Sequence, residues 1–437
     1  MPHSSYHETL PQKILILCDF DGTVSVKDTV NRLVRSHCIS PEWRFHVKRY
    51  LRGDIGSREA YLGVAPLMRM CRQQLEEFVL EHAELDPHFP DFLRWARSRG
   101  IDVKIVSDGF EATIRTLFRN HGIEGLEIFA NRLIIGEDSK VKIEHPYANP
   151  DCGICGTCKL KILESFRSDY DKIILIGDGE SDRHAAQNAD VVIALKDLWH
   201  YCAIKGIPAI RAESFAEVPL LLTRRIEAVT FDMDGTLVDS IDSITDAFNY
   251  MFAQLGYPRM TRDQIIRVTS ISLMDFVRSF LKPEESEIGI KIFREYYGTI
   301  FLQRTTVIPG VREMLDVLNG TATIGIITNK KGRYARILAE HLGLATRMKR
   351  IIGAEDGFKA KPSPEMFVEF MDSVSGERET TIYVGDAPID IESARNAGID
   401  AFAIAGDFFS PEELAVLKPR RILNNISELP KYLSPVV

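Results

Sequence analysis

The chain has 437 residues, is 45% hydrophobic and carries a net charge of -8. That length exceeds one ordinary domain, and that apolar share fills packed cores, so two or three globular domains are expected. The acidic balance, with no dominating basic run, argues against a nucleic-acid or polyanion binder. No apolar stretch approaches the roughly 18–20 residues of a membrane span.

The first residues, MPHSSYHETLPQK, contain no apolar core of a signal peptide. Seven cysteines, three of them crowded into CGICGTC, make a poor disulfide framework. Both features point to a reducing, cytoplasmic setting. Along the chain, the short β-branched runs KILILCDF, VKIVSD and KIILIGD are predicted strands. The second half repeats the sequence of elements with IEAVTFD, TIGIITN and TIYVGD. Helical stretches such as DRHAAQNAD and DIESARNAG lie between them. Alternation of this kind implies an α/β fold with a parallel sheet covered on both faces, built twice in tandem. A boundary is expected where AEVPLLLTRR leads into a new strand, giving domains over 1–222 and 223–437. This linker is apolar, so it is expected to dock or to form a short helix. Each half also carries a long helical insert between its first and second strands, over about 30–95 and 241–305. Because each insert follows directly after a pair of aspartates, it reads as a cap over the strand ends.

Ligands of parallel sheets sit beyond the carboxyl ends of the strands. There the sequence places Asp19 and Asp21 in DFDGT, and Asp232 and Asp234 in DMDGT. Paired carboxylates with unequal pKa values can divide the work, one attacking an electrophile and the other carrying a proton. The glycine that follows permits a tight turn whose amides can face an anion. A second acidic pair follows the third strand: Asp178 and Asp182 in GDGESD, matched by Asp386 and Asp390 in GDAPID. A four-residue offset entering a helix puts both carboxylates on one side. Hard oxygen ligands gathered in this way suit one Mg²⁺ per domain. Ser107 and Thr328 end the second strands, and Lys159 and Lys361 precede the acidic pairs. A hydroxyl and an ammonium there can bind phosphate oxygens and offset growing charge. An isolated Asp-x-Asp is usually a cap and an isolated lysine a solvated one. The full order, occurring twice, is not.

Taken together, these motifs resemble the haloacid dehalogenase superfamily of phosphatases, over nearly the whole chain. The resemblance implies Rossmann-like cores with caps and Mg²⁺-dependent hydrolysis of small phosphorylated metabolites through an aspartyl-phosphate. It makes Asp19 and Asp232 the nucleophiles and Asp21 and Asp234 the acid/bases. Asp178 and Asp386 become metal ligands supported by Asp182 and Asp390, with the Asp21 and Asp234 carbonyls also on the metal. The first half is similar to the phosphoserine phosphatase branch and its methionine-salvage relatives, which hydrolyse a hydroxy-keto-methylthiopentenyl phosphate. Its cues are VSDGF, the cysteine-rich run into Lys159, and Asp28, which that branch places near substrate. The second half is similar to phosphoglycolate phosphatases and pyrophosphatases, through FDMDGTLVDS, KPSPE and GDAPIDIESARNAG. Its cap departs from them, since VTSISLMDF lacks the expected glycine. A phosphomutase or pyrophosphatase in the second half is the rival within the family. From another class, the rival is a binding or regulatory role for one half.

Three features remain. Cys152, Cys155 and Cys158 could converge on one soft metal such as Zn²⁺, with His145, His200 or Cys202 as fourth ligand. The preferred reading is a tight glycine-rich loop with small, half-buried thiols. Arg44, Lys48, Arg49 and Arg52 in the first cap, and Arg267 and Arg278 in the second, could hold a substrate anion if turned inward.

Overall fold

The six runs expected to be strands are strands in the computed structural model, which describes residues 12–151, 153–266, 273–406 and 408–437. The chain divides into two units, one up to Leu221 and one over Leu222–Val436. The helix Val218–Thr223 spans the point of division, where the apolar run PLLL suits a docked helix.

The first unit holds β1 (Ile14–Cys18), β2 (Asp102–Phe110), β3 (Glu127–Ile135), β4 (Val141–Glu144), β5 (Lys172–Gly177), β6 (Val191–Ala194) and β7 (Ala209–Arg211). Their order is β4-β3-β2-β1-β5-β6-β7. All pairings are parallel except β3 with β4, an antiparallel edge hairpin that the expected all-parallel sheet lacks. The β1 sequence ILILC is buried at every position, as a central strand between two helical layers must be. The chain order reverses between β1 and β5, so the crevice beyond these two strands is the switch point where ligands bind.

The second unit has β8 (Ala228–Phe231), β9 (Val238–Asp239), β10 (Thr306–Val307), β11 (Thr323–Lys331), β12 (Arg350–Ala354), β13 (Thr381–Gly385), β14 (Asp400–Ile404) and β15 (Arg421–Leu423). Its main sheet runs β12-β11-β8-β13-β14-β15, with every pairing parallel. Alternate side chains of β8 enter different cores. Val229 and Phe231 pack with Leu315 and Leu338, whereas Ala228 packs with Phe370 and Ala394. This period of two is what a sheet with helices on both faces requires.

Both inserts are helical, and each is closed by short strand-like pairing. In the second unit, β9 and β10 pair antiparallel and bracket residues 240–305. In the first, Val26 N–H donates to Glu84 O at 2.8 Å and Asp86 N–H to Val24 O at 2.9 Å. The insert therefore returns at 84–86 rather than near 95. The helix Phe89–Ser98, placed in the cap by its helical spacing, instead supplies Phe89 and Phe92 to the core against Phe118 and Phe215. Periodicity shows an apolar face but not which layer receives it.

Asp400, at the start of β14, lies between Arg224 at 2.6 Å and Arg420 at 2.9 Å. Burial alone would raise its pKa, but the two guanidinium groups outweigh it and hold the carboxyl below its ordinary value. A depressed folded pKa contributes stability above the unfolded value, near 3.9, that is lost as pH falls through the folded one. Asp400→Asn is expected to destabilise the second unit by roughly 2 kcal/mol at neutral pH. Denaturant melts should show that difference shrinking below about pH 4. Among the described residues, no helix is long and apolar enough to cross a membrane.

Candidate active sites

In each unit, the carboxyl ends of the central strands bring the sequence-predicted residues into one crevice. Asp19 follows β1, and its N–H donates to Ile176 O of β5 at 2.9 Å. Lys159, first residue of the helix Lys159–Ser165, places its Nζ 2.5 Å from Asp19 Oδ1 and 2.7 Å from Asp182 Oδ1. Asp182 is held in turn by the N–H groups of Asp178 and Gly179, at 3.1 and 3.2 Å. The second unit repeats this. Lys361 Nζ lies 2.9 Å from Asp232 Oδ1 and 2.6 Å from Asp390 Oδ1. Asp390 Oδ2 accepts from Ala387 N–H at 3.0 Å. Thr236 Oγ1 donates to Asp386 at 2.8 Å.

Each lysine faces more negative charge than it can cancel. Burial raises the pKa of Asp19 well above its usual range, the nearby Asp182 charge adds to this, and Lys159 opposes it. Burial likewise pushes Asp232 up to about 6 against the pull of Lys361. Asp386 is raised well above its usual range by burial, then by Asp390 and Asp232. Burial by itself would lower both lysines, yet their carboxylate partners carry them above the ordinary lysine value. Oxygen atoms of Asp19, Asp178 and Asp182 all lie within 4.8 Å of one another, as do those of Asp232, Asp386 and Asp390. Three carboxylates against one buried ammonium, with hard oxygen donors throughout, fit a divalent cation such as Mg²⁺.

The backbone is shaped for the same purpose. Gly22 has φ +84°, and a Cβ built there would stand 2.1 Å from Asp178 Oδ2. Gly235, at φ +83°, would meet Asp386 Oδ2 at 2.4 Å. Gly22→Ala is therefore expected to cost about 1–3 kcal/mol in backbone strain. It should also displace Asp178 and abolish turnover at the first site alone, which an assay in the Asp232→Asn background reads directly.

The two sites differ at the second aspartate. Asp21 accepts from Thr29 N–H at 2.7 Å and Thr29 Oγ1 at 2.6 Å. Burial and then the Asp28 charge lift it to about 7, despite those bonds. Asp234 instead accepts from Ser240 Oγ at 2.5 Å and pairs with Lys330 Nζ at 3.0 Å. Ser107 Oγ accepts from Gly109 N–H at 2.9 Å, and Thr328 Oγ1 from Lys330 N–H at 3.2 Å. Each hydroxyl keeps its proton for an acceptor in the crevice.

Several contributors were not singled out in the sequence. Lys196, just past β6, donates to Gly22 O and stands 3.3 Å from Asp178. Lys330 lies two residues after Thr328. Lys196 obeys the strand-exit rule that picked out the aspartates, whereas Lys330 lies in the last positions of β11, within the register shift between Thr328 and Lys331. Tyr383, whose hydroxyl is 2.9 Å from Lys361 Nζ, lies within β13, where nothing in the pattern marks it.

Other expectations do not reach the crevice. Cys152 and Arg267 lie outside the described residues. Among those described, the groups able to hold a metal are the two aspartate trios, and no cysteine belongs to either. The loop after Cys152 is engaged in packing instead. Gly156 N–H donates to Ser57 Oγ at 3.0 Å, Thr157 N–H to Asp108 Oδ1 at 2.9 Å and Cys158 N–H to Tyr147 O at 2.9 Å. His145 pairs with Asn131 at 2.7 Å, and Cys202 is buried in the helix Lys196–Lys205. The soft-metal reading is therefore not supported. Arg44, Lys48 and Arg52 are exposed, and Arg49 pairs with Glu59 at 3.1 Å. Their helix, Trp43–Leu51, lines the first cavity with Val47 and Tyr50. Arg278 is exposed as well. Asp28 does line that cavity, while its carboxylate also caps the helix Thr29–His37 by accepting from Asn31 N–H at 2.9 Å.

Each unit is thus an α/β domain whose acidic trio, held by a buried lysine, lies beyond the carboxyl ends of its central strands. The model of the haloacid dehalogenase-like hydrolase family matches residues 16–187, and a second model of that description matches 229–404. A phosphoglycolate phosphatase from Chromobacterium violaceum is 31% identical over 215 residues, 47% of this chain and 96% of that protein. A 2-hydroxy-3-keto-5-methylthiopentenyl-1-phosphate phosphatase from Exiguobacterium is 29% identical over 205 residues, covering 46% and 94%. A solved haloacid dehalogenase-like hydrolase from Streptococcus pneumoniae aligns with 27% identity and a TM-score of 0.45, over 47% of this chain and 98% of that one. The chain belongs to the haloacid dehalogenase-like hydrolase family and is a hydrolase of its phosphatase type.

Proposed function

We propose that the chain is a bifunctional, Mg²⁺-dependent phosphomonoesterase acting on small phosphorylated metabolites, with one complete site in each unit. The observation that carries this reading is the doubled cluster: Asp19, Asp178 and Asp182 about Lys159, and Asp232, Asp386 and Asp390 about Lys361. Asp19, Asp178 and Asp182 would hold the metal in the first site with the Asp21 carbonyl. Asp232, Asp386, Asp390 and the Asp234 carbonyl would do so in the second. Bound there, Mg²⁺ supplies charge neutralisation for the phosphoryl oxygens.

The protein residues perform the steps. One carboxylate oxygen of Asp19 or Asp232 attacks phosphorus, and the bond from phosphorus to the ester oxygen breaks. Asp21 or Asp234 gives its proton to the departing alkoxide, then takes one from the water that attacks the acyl phosphate. Aspartate is regenerated and inorganic phosphate leaves. A carboxyl pushed up to about 7, as Asp21 is, can both give and accept a proton near neutrality. Ser107 with Lys159, and Thr328 with Lys361, bind the phosphoryl oxygens. For the first unit we assign a substrate of the methylthiopentenyl-phosphate kind, supported by the VSDGF motif, by Asp28 on the cavity wall and by the Exiguobacterium relative. The second unit is assigned with the phosphoglycolate phosphatases in its motifs.

Beryllium fluoride with Mg²⁺ should trap one acyl-phosphate mimic on Asp19 and one on Asp232, read as two fluorine resonances. Each resonance should vanish with its own Asp→Asn substitution, and both with chelator. Two unmodified aspartates in the presence of Mg²⁺ would sink the mechanism.

A further inference from the structure

The geometry points to a substrate with an apolar body for the second site, rather than a second anionic group as in phosphoglycolate. This rests on the phosphatase reading of that site and deepens it. The site opens into a cavity of about 350 Å³. Asp232, Thr328 and Lys361 lie on its core side, and Ile244, Phe248 and Phe276 on its cap side. The aromatic wall is continuous. Phe248 packs at a tilt against Phe276 and Phe293, with ring centroids 3.9 and 4.4 Å apart. Four cations stand among the described lining residues, and each already has an anionic partner. Lys361 is held by Asp232 and Asp390, and Lys330 by Asp234. Arg294 and Lys331 share Glu355. Beside the phosphoryl position, Lys361 and Lys330 already meet carboxylates, so a substrate carboxylate placed there would lose its water without gaining a free positive charge among the described residues, which is unfavourable. An alkyl or aryl body would exchange water for the aromatic wall, which is favourable. The first site contrasts with it. Its cavity, about 320 Å³, sets Asp28, Asn31, Tyr50 and Asp108 beside Val30, Val34 and Val47, a mixed lining with hydrogen-bonding groups for a hydroxylated or carbonyl-bearing body.

The test uses the full-length Asp19→Asn protein, so that only the second site turns over. Hydrolysis of n-hexyl phosphate, phenyl phosphate and 2-phosphoglycolate is measured as kcat/KM. Both apolar esters should exceed phosphoglycolate by about tenfold or more. Met274→Lys alters a residue at the cavity mouth that is 39% exposed, so it should leave folding intact. It should lower kcat/KM for the apolar esters and raise it for phosphoglycolate. Phosphoglycolate matching or beating the apolar esters overturns the inference while leaving the phosphatase reading in place. No phosphate released from any of the three overturns both.

Discussion

Asp232→Asn removes turnover at the second site by on the order of 10⁴-fold or more, and Asp19→Asn does the same at the first. Each single variant keeps the activity of the other unit, and only the double variant loses all Mg²⁺-dependent release of phosphate from p-nitrophenyl phosphate. The effect is large because an amide oxygen neither attacks phosphorus well nor leaves as a carboxylate would. Misfolding does not confound this test. Asp232 is a buried acid held up at about 6 by desolvation, so a neutral isostere removes an unfavourable charge. The thermal midpoint of Asp232→Asn should equal or exceed that of the parent in the absence of divalent ions. If one single variant already releases no phosphate, the other unit is a passenger for that substrate.

Lys361→Met should have the opposite signature: a large loss of stability together with loss of activity. Its Nζ is, among the described residues, the cation in direct contact with both Asp232 and Asp390, and it also donates to the Tyr383 hydroxyl oxygen at 2.9 Å. Removing it leaves buried carboxylates without their partner, which costs about 3–5 kcal/mol when one member of a buried pair is deleted. Lys159→Met should do the same to the first unit, where Asp19 and Asp182 depend on it. Under the proposed mechanism, Mg²⁺ offsets part of that charge and should restore part of the midpoint without restoring turnover. Adding Asp390→Asn to Lys361→Met should also recover stability, because it removes one of the stranded charges. A Lys361→Met protein that melts with the parent would show that the trio is already neutral without its lysine.

The catalytic constellation was legible because strand exits carry their own punctuation. An apolar run that ends in Asp, Ser or Thr must place that residue at the carboxyl edge of a parallel sheet, whatever the rest of the molecule does. The same rule marks Lys196, two residues past β6, while Lys330 lies inside β11 and is marked only by its closeness to Thr328. Tyr383 was hidden for a different reason. Inside a strand, side chains alternate between faces, and a tyrosine at one position reads as core until its hydroxyl is seen against Lys361. Spacing misled at the helix Phe89–Ser98, whose apolar stripe fits a cap and a core layer equally well.

Local covalent order determined the strands, the tight glycine turns after each Asp-x-Asp, and the four-residue offset of the second acidic pair. These depend on residues within a few positions of one another. The tertiary structure decided what those groups face: which carboxylates each lysine meets, that the backbone after Cys152 is hydrogen-bonded to Ser57, Asp108 and Tyr147, and that the second cavity has an aromatic wall. Those are properties of side chains that meet across long separations in sequence, and the energy of a buried charge is set by the partners it finds there rather than by its neighbours along the chain.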